Sequence, residues 1–449
     1  MMASTDSTKP ASAAGETGPA TVTLATATAL AVADMIGIGV FTSLGFQVRD
    51  LPTGFSVVTL WTVGGIVALC GALSYAELAT ALPRSGGEYN FLSRIYHPAL
   101  GFLAGWISAT VGFAAPVALA AMAFGDYFAG VFPGAPKLWL ALASVWGVTL
   151  VLLSGAKPGA LFTNVATFLK VALIVGLIIC GLAFGTPQPI SFAPSASDLS
   201  YIVSAPFAIG LMYVMYSYSG WNAATYIADE IKDPARTLPP ALVAGVIIVM
   251  VLYVALNAVF LYTTPMERLA GQLNVGLVAG EHIFGAGGGR IVGGLICFGL
   301  ISAITAMMWI GPRVTMVMGE DLSALSFFAK KSVGGVPARA LILQLGVATF
   351  LLLTQSFERV LEFVQFGLLS CSLLAVIGVI VLRIRQPHLP RPFRVWAYPL
   401  TPLIFGVVTL FILVYLVREK PVQSLAGLAL MATGLVVFAL SPKRPIKNR

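Results

Sequence analysis

The sequence is poor in charge, histidine and cysteine. Of its 449 residues only 10% are Asp, Glu, Lys or Arg, whereas a soluble domain carries about 25%. Apolar residues make up 58% of the chain and fall in successive runs that reach the roughly 20 residues needed to cross a bilayer core. The runs are too long for buried strands and do not alternate with period two, so they predict membrane helices and not a β-barrel.

Each scarcity also excludes a class of site. The three histidines lie far apart at the edges of apolar runs, so no metal site is predicted. No two of the four cysteines are spaced as a pair, and each falls inside an apolar segment, as small hydrophobic side chains do. The net charge of +8 forms no basic block interleaved with aromatics, so no nucleic-acid partner is expected. With no nucleophile elbow, zinc motif or phosphate loop, we predict neither an enzyme nor a cofactor.

The apolar runs predict an all-α membrane protein of about twelve transmembrane helices. An even number puts both termini on one side, and most of the 26 basic residues fall in loops on that side. The positive-inside rule then places both ends in the cytoplasm of a multi-pass inner-membrane protein. Residues 1–21 and 441–449 are predicted to be cytoplasmic tails, the first disordered. The predicted spans are 22–46, 55–82, 97–125, 137–155, 160–184, 203–229, 239–262, 288–318, 337–354, 357–383, 397–417 and 421–440.

Two of these spans contain glycine where a helix should continue. The first reads Met-Ile-Gly-Ile-Gly-Val-Phe over 35–41, and the sixth reads Tyr-Ser-Tyr-Ser-Gly-Trp-Asn over 216–222. Each glycine weakens a helix by about 1 kcal/mol relative to alanine. Close helix packing or a polar packing face explains either segment alone. Together, at matching positions of two halves, they point to the binding site of a transporter.

The matching positions predict two five-helix repeats, at 22–185 and 203–383, followed by two additional helices at 397–440. An odd number of spans in each repeat makes their topology inverted. Unwound backbone is tolerated at this depth only where it lines a cavity or is buried in protein. Free N–H groups at a helix N-terminus suit a carboxylate, and free carbonyls suit an ammonium group. The predicted carboxylate site is Ile38, Gly39 and Val40; the predicted amino-group site is Tyr216, Ser217 and Ser219.

Three charged residues inside apolar runs are further candidates. Lys170 lies in the middle of the fifth span, in a polar stripe with Thr163 and Thr167. A buried lysine is costly, so we predict a function for it, which includes holding the broken helix. Asp34, one turn before the first break, has three possible roles: pairing with a cation, carrying a proton or facing cytoplasmic water. Glu77, near the inner end of the second span, is interpreted as a structural or gating contact.

At these residues the chain resembles the amino acid–polyamine–organocation superfamily, and within it bacterial members close to the L-type amino acid transporters. The resemblance covers nearly the whole chain from about residue 22. It rests on Ile36-Gly37-Ile38-Gly39-Val40-Phe41, Leu73-Ser74-Tyr75-Ala76-Glu77-Leu78, Pro83-Arg84-Ser85-Gly86-Gly87-Glu88-Tyr89, Tyr218-Ser219-Gly220-Trp221-Asn222 and Glu230-Ile231-Lys232-Asp233-Pro234.

The resemblance implies the inverted-repeat fold, with substrate held at the two breaks as described. Lys170 matches the family's fifth-helix lysine. Sodium-coupled relatives of this fold hold the same elements together with a sodium ion, so the lysine implies sodium independence. The animal members dock a second subunit through a cysteine after the third helix; residues 126–136 contain none, so no disulfide-linked heavy subunit is implied.

The chain also departs from the family pattern. Ile38 stands where a serine or threonine is common, Tyr216 replaces a phenylalanine that serves as a gate, and Ser219 replaces a glycine. The changes at Tyr216 and Ser219 narrow the pocket and favour a small substrate, while Ile38 removes one hydroxyl from the carboxylate site. The leading hypothesis is therefore a sodium-independent exchanger or proton-coupled permease of small neutral amino acids, working by alternating access. A polyamine or other organocation carrier, and a sensor that binds amino acids without transport, are the alternatives.

Overall fold

The first predicted span is two helices and not one. In the computed structural model, which describes residues 22–83, 86–155, 160–225, 231–321, 323–330 and 336–441, helix α1 (Leu24–Met35) and helix α2 (Gly39–Gln47) meet at an angle of 40°. Thr23 caps the start of α1 through its side chain. The predicted tails 1–21 and 442–449 lie outside the described residues, so their structure stays a prediction.

Long helices follow the broken pair. The second span is α3 (Gly54–Ala81), and a short helix, α4 (Gly87–Ile95), precedes the third. The third span runs from Pro98 to Val131 as α5 (Pro98–Ile107), one π-helical turn (Ser108–Gly112) and α6 (Ala114–Val131). The remaining helices of the first half are α5 (Pro98–Ile107), α6 (Ala114–Val131), α7 (Lys137–Leu153) and α8 (Ala160–Phe184).

The second half begins with a short helix and a second interruption. Helix α10 (Ala205–Ser217) is followed by a turn over 218–222, and residues 226–230 lie outside the described chain. Helix α13 has a kink at Gly285 within its length. The helices are α9 (Asp198–Ile202), α10 (Ala205–Ser217), α11 (Pro234–Thr263), α12 (Met266–Leu269), α13 (Val275–Asp321), α14 (Ala338–Leu353), α15 (Phe357–Arg385), α16 (Leu400–Glu419) and α17 (Pro421–Leu440).

Each of the twelve predicted spans therefore coincides with a helix. Among the described residues, eight helices are long and apolar enough to cross a membrane, and the α1–α2 pair makes a ninth. The apolar helices at the fourth, sixth and ninth predicted spans are shorter: Lys137–Leu153, Ala205–Ser217 and Ala338–Leu353. The protein is thus a multi-pass, all-helical membrane protein, while the full count of twelve spans stays a prediction.

Two groups of helices make up the packing. In one, α1 and α3 pack on α11, and α2 packs on α10. In the other, α6 packs on α7, α13 and α14. Helix α8 contacts both α11 of the first group and α13 of the second. The two helix breaks lie in the first group, and Lys170 on α8 lies beside them.

Candidate functional site at the two helix breaks

The first break leaves backbone donors free at the start of α2. Helix α1 closes with the Ile36 N–H donating to the Val32 carbonyl at 3.0 Å, and the Gly37 N–H donates to the Met35 carbonyl at 2.8 Å. Within the described chain, the N–H groups of Ile38, Gly39 and Val40 have no hydrogen-bond acceptor. They are buried and stand at the positive end of the α2 dipole, an arrangement that binds anions.

Side chains from two other helices cap the carbonyls that the break frees at the end of α1. The Lys170 ammonium donates to the Ile36 carbonyl at 2.7 Å and to the Ala33 carbonyl at 3.3 Å. The Tyr253 hydroxyl donates to the Met35 carbonyl at 2.6 Å. A helix end needs such partners, because its last carbonyls have no intrahelical donor. Lys170 therefore contacts the end of the broken helix, while its function in transport stays a prediction.

The sixth-span break offers fewer free carbonyls than the sequence predicted. Ser219 donates to the Tyr216 carbonyl twice, through its N–H at 3.0 Å and its hydroxyl at 2.7 Å. Both lone pairs of that oxygen are thus in use, so the Tyr216 carbonyl is not free as predicted. The carbonyls of Ser217 and Ser219 accept no hydrogen bond from any described residue. Gly220 makes the turn with a φ of 100°, a backbone conformation that favours glycine.

The two breaks touch each other. A Cβ added to Gly39 would lie 2.6 Å from the Ser217 Cα, so only glycine permits this approach. The Ser217 hydroxyl lies 3.0 Å from the Ser43 hydroxyl on α2. Gly220 also packs closely on α1: a Cβ added to Gly220 would lie 2.6 Å from the Asp34 carboxylate. The predicted carboxylate and amino-group residues are therefore neighbours.

Asp34 is half-buried beside the second break. It forms no ion pair within 4 Å in the part of the chain that the structure describes, although its charge and that of Lys170 attract one another.

The polar stripe predicted for Thr163, Thr167 and Lys170 stays a prediction, since the side chain of Thr163 lies outside the described residues. Lys170 itself is partly buried and packs on Gly299 of α13.

Aromatic rings and an ion pair close the end of the site where α2 finishes. The Phe46 ring stacks on Tyr213 at 5.2 Å and on Phe357 at 5.7 Å between ring centroids. Arg49 pairs with Glu358 at 3.1 Å beside this stack. Sequence reasoning missed all of these residues, because none of them is unusual for its own segment.

Sequence reasoning also missed Tyr127 on α6. Its hydroxyl donates to the Phe41 carbonyl at 2.7 Å and accepts from the Gly276 N–H at 2.9 Å.

Glu77 lies at the opposite end, in an ionic cluster. Its carboxylate accepts from the Arg383 guanidinium at 2.8 and 2.6 Å and from the Val395 N–H at 2.7 Å. Arg391 approaches it at 3.5 Å. The carboxylate is almost fully buried, so the cluster ties the end of α3 to the end of α15 and the segment after it. This geometry is that of a structural contact; a gating role for Glu77 stays a prediction.

The described residues contain no group of three His, Cys, Asp or Glu side chains that converges on one point. What they contain is a set of uncharged backbone donors and acceptors between two interrupted membrane helices. Interrupted membrane helices at matching positions are typical of the substrate site of a transporter, and the class of protein that they indicate is a membrane transporter.

Comparison with known proteins agrees that the protein is a membrane transporter. The chain matches the amino acid permease family over residues 22–440 and belongs to it; it is an amino acid transporter. It is 27% identical over 420 residues to the mouse b(0,+)-type amino acid transporter 1, covering 91% of this chain and 85% of the relative. It is 27% identical to the human cystine/glutamate transporter, covering 93% and 84%. It is 26% identical to the serine/threonine exchanger of Bacillus subtilis (strain 168), covering 86% and 88%.

Proposed function

We propose that the protein is a sodium-independent secondary transporter of small neutral amino acids. The observation that carries this proposal is the hydrogen bonding of the Lys170 ammonium to the Ile36 and Ala33 carbonyls. Oxygen atoms freed at a helix break are typical sodium ligands in transporters. Here a tethered positive charge takes those oxygens, so no sodium ion is needed to hold the break to α8.

The two charges of an amino acid fit the free groups of the two breaks. Its carboxylate would accept from the N–H groups of Ile38, Gly39 and Val40, which are buried and without acceptors in the described chain. Its ammonium group would donate to the carbonyls of Ser217 and Ser219. Because Tyr216 uses its carbonyl internally, its proposed role is confined to its ring, as a gate and a wall. No side-chain charge is then needed to bind the substrate.

Two features favour a small side chain. The Tyr216 side chain is buried at the end of α10, and the Ser219 hydroxyl is fixed on its carbonyl, so both occupy space at the break. One relative, from Bacillus subtilis, is a serine/threonine exchanger. Replacing Ser219 by glycine should therefore broaden uptake towards larger neutral amino acids, as measured by competition with alanine, leucine and phenylalanine. An unchanged competition profile would place specificity on the third, eighth or tenth span.

The packing supports the proposed inverted repeats. If the chain has twelve spans, the first group of helices holds the first and second spans with the sixth and seventh. The second group likewise holds the third and fourth with the eighth and ninth. Corresponding members of two five-helix halves are thus grouped together, as alternating access by rocking of one group on the other requires. With both termini proposed to be cytoplasmic, Arg49 and Glu358 lie at the outer end and Glu77 at the inner end.

Counterflow in proteoliposomes tests the function directly. Vesicles loaded with serine or alanine should accumulate labelled serine or alanine from outside, equally well when sodium is replaced by choline. An imposed inward proton gradient without internal substrate distinguishes a proton-coupled permease, which accumulates substrate, from an exchanger, which does not. A sensor would bind the amino acid without flux. An organocation carrier would take up polyamine instead, and either result would contradict the proposal.

A further inference from the structure

A groove between α6 and α13 lies apart from both helix breaks. It has a volume of about 240 Å³ and is lined entirely by apolar residues and glycine. One wall is a row of rings on α6 and at its C-cap, where Phe124, Phe128 and Phe132 follow at spacings of four residues with centroids 5.7 and 4.9 Å apart. The other wall is α13, which contributes Gly294, Cys297 and Phe298. Phe132 and Phe298 are exposed on the outside of the protein, so the groove opens towards the bilayer.

A cation lies at one end of this groove. Arg290 precedes Gly294 by four residues and Cys297 by seven, so the three share one face of α13. At 1.5 Å per residue, Arg290 stands roughly 6 Å along the helix from Gly294 and roughly 10 Å from Cys297. It is exposed and has no ion-pair partner among the described residues. It also lies just before the apolar run that begins at Ile291, where a helix meets the headgroup layer.

The chemistry of the groove selects its occupant. An amino acid would leave both of its charges unpaired against phenyl rings, which is costly in an apolar environment. A helix from another protein is about 10–12 Å wide with its side chains, so it could place only single side chains in a groove of about 240 Å³. A hydrocarbon chain fits the groove, and a phosphate at its head would reach the Arg290 guanidinium.

We propose that this groove is a binding site for an anionic phospholipid. One acyl chain lies along the phenylalanine row between α6 and α13, and the phosphate pairs with Arg290. Because α6 and α13 both belong to the second helix group, the lipid would fill the cleft between two helices of that group at its edge. A bound lipid would thereby stabilise the second helix group, against which the first group, with its two helix breaks, is proposed to move.

The glycine in the groove provides a selective test. A Cβ added to Gly294 would meet nothing within 4 Å, so the side chain of Gly294→Leu starts in open space in the groove that Gly294 lines. Gly147→Leu on α7 is the matched control, since Gly147 is also exposed with nothing within 4 Å. Arg290→Gln removes the cation, and Lys137→Gln is its control, because Lys137 is already paired with Asp126.

The purified transporter and its four variants are titrated with phosphatidylglycerol or phosphatidylcholine, and retained lipid is counted by native mass spectrometry. We expect the wild type and both controls to retain phosphatidylglycerol in preference, and Gly294→Leu and Arg290→Gln to retain at least about fivefold less. The melting temperature should rise with phosphatidylglycerol only in proteins that retain it. This second measurement also shows that each variant is folded.

A phosphatidylglycerol carrying a photoactivatable group in its acyl chain locates the site. We expect adducts on peptides from α6 and α13, lost in Gly294→Leu and kept in Gly147→Leu. Equal retention by all proteins, or adducts spread over other helices, would overturn the proposal. A dimer in the wild type that Gly294→Leu alone dissociates would overturn it as well, because the groove would then belong to an interface between two copies.

Discussion

Lys170 donates a hydrogen bond of 2.7 Å to the carbonyl oxygen of Ile36, a residue 134 positions earlier in the chain. The contact joins α8 to the last turn of α1, where a helix break has removed the usual donors. It has two interpretations. A lysine that stays charged is a fixed clamp, and transport then varies little with pH. A lysine that releases its proton during the cycle, with or without Asp34, couples transport to the proton gradient.

Lys170→Ala should cut exchange strongly under either interpretation, because it removes the link between the broken helix and α8. The measurement is uptake by wild type and variant, with and without a pH gradient and with sodium replaced by choline. Lys137→Ala, at an exposed position, controls for the loss of one positive charge. Sodium-dependent transport by the wild type would refute the sodium-substitute role, and full activity of Lys170→Ala would refute an essential role.

Gly39→Val should abolish substrate binding in a protein that still inserts and folds. A side chain at Gly39 meets Ser217, and a β-branched residue restricts the backbone whose N–H groups are proposed to hold the carboxylate. The measurement is the rise in melting temperature with serine or alanine. Gly37→Ala is the control, since a Cβ there would come no closer than 4.0 Å to any atom outside its own neighbours. Near-normal affinity of Gly39→Val would show that the carboxylate binds elsewhere.

Glu77→Ala should lower the free energy of unfolding by about 3–5 kcal/mol, the usual cost of removing one partner of a buried ion pair. It would leave the Arg383 guanidinium and the Val395 N–H without their acceptor, and Arg391 without its counter-ion. Asp126→Asn disrupts the exposed pair with Lys137 and should cost about 0–1 kcal/mol. Melting temperatures in detergent compare the two. Equal losses would mean that the Glu77 cluster does not hold α3 to α15.

Glu88 on α4 should make stability depend on pH. Burial raises the pKa of its carboxyl above the ordinary 4.5, although hydrogen bonds from Tyr75 and Ser372 act in the opposite direction. The folded protein therefore keeps a proton that the unfolded chain loses, so stability falls as pH rises from 4.5 through the folded pKa. Above that pKa the loss of stability is complete. Lowering the pH back through the same range should restore the stability.

Glu88→Gln cannot ionise, yet it keeps an oxygen for the Tyr75 hydroxyl. Its melting temperature relative to wild type should therefore increase as pH is raised from 4.5 to 8.5. Glu267→Gln, at an exposed position, controls for the removal of one carboxylate. A difference between Glu88→Gln and wild type that stays constant over this range would contradict the linkage.

The sequence predicted the positions of the helices well, because each span needs a long apolar run and the runs are separated by polar loops. It also singled out Lys170, since a lone cation within such a run has few structural explanations. Both features are local. By contrast, Glu77 and Arg383 are 306 positions apart, and Arg49 and Glu358 are 309 apart. Neither member of these pairs is unusual in its own segment, so their pairing depends on helix packing.

Backbone detail at the breaks was equally hard to predict. Gly37 and Gly39 look alike in the sequence, yet only Gly39 packs closely on another helix. The Tyr216 carbonyl was predicted to be free, but Ser219 folds back onto it because the chain turns at Gly220. Such a turn depends on a few dihedral angles, which a pattern of residue types does not determine.

The contact of Gly39 with Ser217 has a consequence for how tightly a substrate binds. Because α2 and α10 are this close and the N–H groups proposed to bind the carboxylate are buried, we expect an amino acid to reach these donors only in molecules where the helices have separated. Its measured dissociation constant is then the intrinsic constant divided by the fraction of separated molecules. Any substitution that loosens this contact without touching the substrate would raise apparent affinity. Weak measured binding would then reflect how rarely α2 and α10 separate at the Gly39–Ser217 contact, and not weak intrinsic binding by the separated molecules.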